Sequence, residues 1–329
     1  MISVFLVLST VCSRILYDNR QIDGSTFDTL WHMEIHNMDL EKKAPRSPYN
    51  VGILGMMNLA RMTDKALAQL NKSIGQYKFG LTSNRDCRTL SALGLTEKDF
   101  LDMIDSVLSS NSAGARVSNS SIANQLRFQT NIRLEQIKDF NSNERDRKPS
   151  DESYRQQFEF RQQLVGQPEI QTLPDMLDAE DAYEFGIPSS LTLVPPISAH
   201  SGAILGICCL GRLVSKAKGV LSGKLGDYKF GADSGLDVGT MNFININEAE
   251  LLDGISRYTG WLDLISWLRD RVSISQQEVV DWNQARRSRG PWNAEVQHMF
   301  NVRSQSVERT DLTTFLDLLD CEDAADFPE

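Results

Sequence analysis

Two stretches of the chain decide how it is read: LGMMNLARMTDKALAQLNKSIGQYKFG, Leu54–Gly80, and LGICCLGRLVSKAKGVLSGKLGDYKFG, Leu205–Gly231. They align without a gap at an offset of 151, and 12 of their 27 positions are identical, among them Arg61/Arg212, Lys65/Lys216 and Tyr77/Tyr228. Self-similarity at a fixed offset marks a repeated structural unit. The same offset pairs Pro45 with Pro196, Ser47 with Ser198, Asp86 with Asp237 and Glu97 with Glu248. A second pair of blocks closes each unit: IQTLPDMLDAEDAYEF, Ile170–Phe185, and LTTFLDLLDCEDAADF, Leu312–Phe327, with 8 of 16 positions identical. Here the offset falls to 142, so the first unit carries nine more residues between its blocks. The chain therefore divides into an N-terminal segment, 1–36, a first copy, 37–186, and a second copy, 187–329.

Within a copy the elements follow from local pattern. Pro45-Arg46-Ser47-Pro48 is an extended lead-in, because a residue before proline avoids the helical region. Leu59, Met62, Ala66 and Leu70 recur at helical spacing. Gly75–Gly80 is bounded by glycines and alternates, which predicts a turn and a short strand. Further helices are expected over Glu97–Leu108 and Ile246–Arg271, the latter with the apolar stripe Trp261, Leu264, Ile265 and Leu268. Trp267 falls roughly 120° off that stripe, at 100° per residue, where it either lines an aromatic pocket or covers a contact. Thr310-Asp311-Leu312-Thr313 offers a cap for the last helix. The polar run Ser142–Gln163 reads as the insertion, a long loop and solvated helix projecting from the first copy. The fold class expected is mainly α with minor β, one small helical domain duplicated in tandem.

Composition limits the functions. The 329 residues hold 34 Lys and Arg against 44 Asp and Glu, a net charge of −10. An acidic chain is a poor coat for nucleic acid, whose phosphates call for a basic surface. No apolar run approaches the roughly 18–20 residues of a membrane-spanning helix. MISVFLVLSTVCS at the start has signal-peptide length but no preceding Lys or Arg. A soluble cytoplasmic chain and one with a secretory or organelle signal over 1–12 both stay open. Cys12, Cys87, Cys208, Cys209 and Cys321 form no paired motif and read as reduced thiols.

The blocks resemble a small bacterial family known as domain of unknown function 5069. The likeness rests on Asp39-Leu40, Arg46-Ser47-Pro48, Arg61, Asp64-Lys65 and Gly75-Gln76-Tyr77 in copy 1. In copy 2 it rests on Arg212, Lys216, Gly226-Asp227-Tyr228 and the closing Thr310–Asp320. Copy 2 departs in having Ser215 where Asp64 stands in copy 1, and neither copy keeps the family's closing Trp. The resemblance implies a fold and no activity. The tandem arrangement is also similar to the repeats of dinoflagellate luciferin-binding proteins, which implies a tetrapyrrole ligand released on acidification.

The candidate ligand-binding residues are Arg61, Lys65 and Tyr77 in copy 1 and Arg212, Lys216 and Tyr228 in copy 2. Arg and Lys four apart share a helix face, where they can clamp a carboxylate or phosphate. Copy 2 is favoured, because Ser215 removes a neighbouring acid. The alternative is that these cations are braces, Arg61 pairing with Asp64 or Asp86 and Arg212 with Asp237. Asp178, Glu180 and Asp181, with Asp320, Glu322 and Asp323, read as a solvated acidic helix end. His32, Glu34 and His36 fall on one side of an extended segment, as metal ligands or as part of a solvated stretch; no metal or cofactor site is assigned, and no catalytic residue can be named. The function expected is a tandem small-molecule protein binding an anionic ligand. A protein-interaction scaffold without catalysis is the alternative, and an enzyme of unassigned class the third.

Overall fold

A computed structural model describes residues 38–110 and 118–327, and each copy in it is built from seven α-helices. In copy 1 these are α1 Leu59–Leu70, α2 Asn84–Leu93, α3 Glu97–Ser110, α4 Asn119–Gln129, α5 Leu134–Arg145, α6 Glu152–Leu164 and α7 Leu173–Phe185. In copy 2 they are α8 Leu210–Leu221, α9 Gly235–Ile244, α10 Glu248–Arg257, α11 Trp261–Arg271, α12 Gln276–Arg287, α13 Ala294–Ser306 and α14 Phe315–Asp326.

Matching residues start and stop matching helices. Ser83 and Ser234 cap α2 and α9 by accepting from the backbone N–H of Asp86 and Asp237. Thr172 and Thr314 do the same for α7 and α14 through Asp175 and Asp317. An oxygen at this position satisfies one of the four unpaired N–H groups at a helix start. The cap of α14 is thus Thr314, one residue beyond the stretch proposed from sequence. Among the described residues every positive φ except that of Gly186 recurs at the offset of its block, including non-glycine pairs such as Leu54/Leu205 and Asn58/Cys209. That agreement in rarely populated backbone conformation is the structural trace of duplication.

The minor β content is not seen: no strand occurs among the described residues. Tyr77-Lys78-Phe79 precedes a single 3-10 turn, Gly80–Thr82, and Phe79 is extended. Its neighbouring backbone groups bond to side chains instead of to another strand. The Lys78 carbonyl accepts from Lys65 Nζ, and the Gly80 N–H donates to Asp86. The expected helix over Ile246–Arg271 is two helices, α10 and α11, broken at Tyr258–Gly260.

The insertion also lies elsewhere. Helices α4 to α7 match α11 to α14 at the offset of 142, so α5 and α6 both have counterparts. The extra residues fall where α3 outruns α10 and in the connection to α4, of which 111–117 lie outside the described residues. Polarity misled the reading of 142–163. Glu144 is buried there because Arg88 and Arg147 reach it, and Phe158 enters the core.

Two main cores form. One belongs to copy 1 alone and collects Met62, Phe100, Ile104 and Leu126. The other is shared: Phe158, Val165, Leu173 and Met176 of copy 1 pack with Leu213, Leu264, Leu268 and Val279 of copy 2. Trp261 packs partly buried against the shared core and donates its indole N–H to the Val165 carbonyl, 2.8 Å away. Trp267 covers a contact, stacking on Tyr258 with its indole over Gly254.

Candidate functional site

The six repeated polar residues form one arrangement, built twice. The first helix of each copy faces its closing helix. Arg61 on α1 donates to both oxygens of Asp181 on α7, at 2.6 and 3.3 Å. Arg212 on α8 forks Asp323 on α14 in the same way. The phenol of Tyr77 donates to Asp181 at 2.8 Å and that of Tyr228 to Asp323 at 2.9 Å. The guanidiniums lie 5.5 and 5.4 Å from the centres of those tyrosine rings. One turn along, Lys65 meets Asp86 at 2.6 Å and Lys216 meets Asp237 at 2.5 Å. All four cations are buried. Two charges removed from water are tolerated in such places when each is paired and hydrogen-bonded.

These partners differ from those proposed in sequence. Asp64 does not serve Arg61 but holds Arg46, at 2.7 Å. Asp86 and Asp237 serve the lysines. Copy 2 lacks Asp64 because it also lacks its partner: Ile197 stands at the position of Arg46, and Ser215 accepts from the Ile197 backbone N–H. The loss of that acid does not free Arg212, whose own acid is Asp323.

The acidic helix ends are not solvated as read. Asp178 and Asp320, three residues before the arginine partners, are buried. Ser47 donates to Asp178 at 3.0 Å and Ser198 to Asp320 at 2.6 Å. Burial is the largest influence on both carboxyls. With Asp181 or Asp323 close by, it pushes Asp178 up to about 7 and Asp320 up to about 8. Burial lowers the Arg61 and Arg212 values, but the adjacent carboxylates outweigh it and the net shift is upward. Lys65 is drawn down to about 8 by burial, against the pull of Asp86. The flanking Glu180 and Glu322 take Arg161 and Arg303.

A second polar concentration sits where the copies meet. Tyr49 of copy 1 stacks on His200 of copy 2, with ring centres 6.0 Å apart and planes 14° apart. These two residues are each other's counterparts at the offset of 151. Tyr49 donates to Asp175 at 2.7 Å, and His200 Nε2 lies 2.9 Å from Asp317. Arg145 crosses to Asp317 at 3.1 Å, while its counterpart Arg287 approaches Asp175 at 4.0 Å. Burial pulls His200 down to about 4 even though Asp317 favours its charged form.

Beside this contact opens a cleft of about 560 Å³ between the end of α5, the start of α7 and the length of α12. Arg145 and Lys148 of copy 1 and Arg287 of copy 2 supply cations, and Val279 and Val280 give an apolar wall. Arg287 is fixed by the His200 carbonyl at 2.9 Å, while its other nitrogen holds Asp146 at 3.2 Å. The side chain of Arg287 is 14% exposed and that of Asp146 is 70% exposed. An anchored cation therefore carries a largely exposed carboxylate. Sequence reading missed this cleft, since its walls come from α5, α7 and α12 and no motif spans it.

His32 and His36 lie outside the described residues. Among those described, no cluster of three or more His, Cys, Asp or Glu side chains is placed to hold a metal ion, and no helix is long and apolar enough to cross a membrane. No curated protein matches the chain. A family model described as a domain of unknown function (DUF5069) matches residues 42–183 and again 195–325, and the chain belongs to that family, carrying its domain twice.

Proposed function

We propose that this pair of fused family domains is a binding protein for a small anionic molecule, taken up in the cleft between the copies. The observation that carries the reading is the Arg287–Asp146 contact. A guanidinium fixed on a backbone carbonyl presents its outer edge to an exposed carboxylate, which a ligand carboxylate or phosphate can replace. Lys148 stands two residues from Asp146, at the same cleft. The volume lies within the range usual for small-molecule sites. The repeated Arg, Lys and Tyr residues then serve as braces between the first and closing helices. Their carboxylate partners already occupy the positions a ligand anion would take.

Titrating a panel of small carboxylates and phosphates by calorimetry tests the reading. A ligand bound by the wild type should weaken on the order of tenfold or more in Arg287→Gln, the value of one charge-assisted hydrogen bond. It should be unaffected by Lys42→Ala, a distant surface change. Equal affinity in Arg287→Gln would end the proposal. Its narrower, luciferin-binding-like form is a tetrapyrrole whose carboxylates meet Arg287 and Lys148; visible absorbance of the purified protein tests that form. A second reading, an interaction scaffold without catalysis, is favoured because the four repeated cations are buried and all six repeated polar residues are engaged in internal contacts. A chain that binds none of the anions but keeps its fold when these braces are intact would support it.

A further inference from the structure

The contacts between the copies have the form of a subunit interface. In a two-fold dimer the same patch is used on both sides, so a contact of residue i with j is matched by one of j with i, and residues at the axis meet their own counterparts. All of these occur inside this single chain. Tyr49 meets its counterpart His200. Arg145 reaches Asp317 while Arg287 reaches towards Asp175, and both partners are related by the same offset of 142. Gly55 of copy 1, beside Leu54, lies against the Arg309 side chain of copy 2, and on the other side Gln167, the counterpart of Arg309, accepts from the backbone N–H of Leu205, the counterpart of Leu54. The apolar part of the contact runs one way: Phe158, Val165, Ile170 and Leu173 of copy 1 complete the core of copy 2, while the core of copy 1 is its own. Domains joined only as a tether would show no such reciprocal polar pairs.

We propose that the chain is a fused dimer: each copy offers a subunit interface fitted to a second copy of the same domain, and the covalent connection at 186–190 is not needed to hold them together. Its occupant is set by the reciprocal pairs and by the shared apolar core. The connection places Ile187 in the shared core and lets the Ser189 carbonyl accept from Ser222, but Gly186 and Ser189 are exposed, and a Cβ placed on Gly186 would touch nothing within 4 Å. Because the cleft draws one wall from each copy, it too depends on this association and not on the peptide bond.

The test keeps the full chain and adds a protease recognition sequence between Ser189 and Ser190. A second version carries it after Gly186, should the first disturb the loop. The protein is folded, cut and diluted. The halves should co-migrate on gel filtration at micromolar concentration and below, with the circular dichroism of the uncut chain. Arg269 of copy 2 forks Glu169 of copy 1 at 2.6 and 3.0 Å, in a partly exposed position suited to charge reversal. Arg269→Glu should weaken association of the cut halves on the order of tenfold. Adding Glu169→Arg should restore it. Halves that separate or aggregate once cut, in both insertion versions, would overturn the proposal. So would an Arg269→Glu loss that the double variant fails to recover.

Discussion

Asp320→Asn isolates a proton that the folded chain holds and the unfolded chain does not. The carboxyl of Asp320 is buried between Ser198 and the Arg212–Asp323 pair, and burial lifts it to about 8. In the unfolded chain it titrates near 3.9. Below about pH 4 both states carry the proton and the neutral group contributes its full stability. Between about 4 and 8 only the folded state keeps it, so stability falls by about 1.4 kcal/mol per pH unit and the loss levels off above 8. The whole window corresponds to at most roughly 6 kcal/mol. Asparagine preserves the shape and hydrogen bonding of the neutral acid and removes this slope. Urea unfolding of both proteins at pH 5, 6, 7 and 8.5 should therefore show the variant gaining on the wild type by more than about 2 kcal/mol across the series. A difference that stays constant with pH would refute the assignment of a protonated buried carboxyl.

Asp178→Asn should behave alike over a window ending one unit lower, since Asp178 is lifted to about 7; the same unfolding series measures it. Arg61→Ala and Arg212→Ala should each cost roughly 3–5 kcal/mol, because each strands the closing-helix carboxylate it holds; denaturant midpoints read this, and a loss under about 1 kcal/mol in both would contradict the brace role. Cys209 sits at φ 70°, where copy 1 has Asn58. The amide of Asn58 donates to Asp86 and Thr89, whose counterparts are Asp237 and Thr240. Cys209→Asn should restore both bonds in a conformation asparagine tolerates, gaining about 1 kcal/mol and about 2 °C in Tm by calorimetry.

The duplication was legible because the helix-and-turn block keeps its spacing without a gap, and backbone conformation follows that spacing down to Leu54 and Leu205. The helical class followed from apolar period. The short strand failed because alternation in Tyr77-Lys78-Phe79 has a different cause: their neighbours bond to Lys65 and Asp86, side chains that no local pattern reveals. The Arg–Lys–Tyr sets were found as residues but given the wrong acids. Asp181 lies 120 positions from Arg61, whereas Asp64 is one turn away and invites the choice. One signal was present: Asp181 and Asp323 recur as faithfully as the arginines do. The cleft was beyond reach, since its walls are joined only by the docking of one copy on the other.

Tyr49 against His200 has a further meaning for how such a chain can change. On a true two-fold axis a residue touches its own image, so every substitution arrives twice and must suit both sides at once. Tyrosine facing tyrosine and histidine facing histidine are the only combinations such an assembly can try in one mutational step. Fusion lifts that restriction. Here a phenol that donates to Asp175 faces an imidazole beside Asp317, and Arg46 with Asp64 on one side answers to Ile197 with Ser215 on the other. Each half is free to drift while its twin preserves the scaffold, so the two rims of the seam can acquire different chemistry without the protein ever losing its partner.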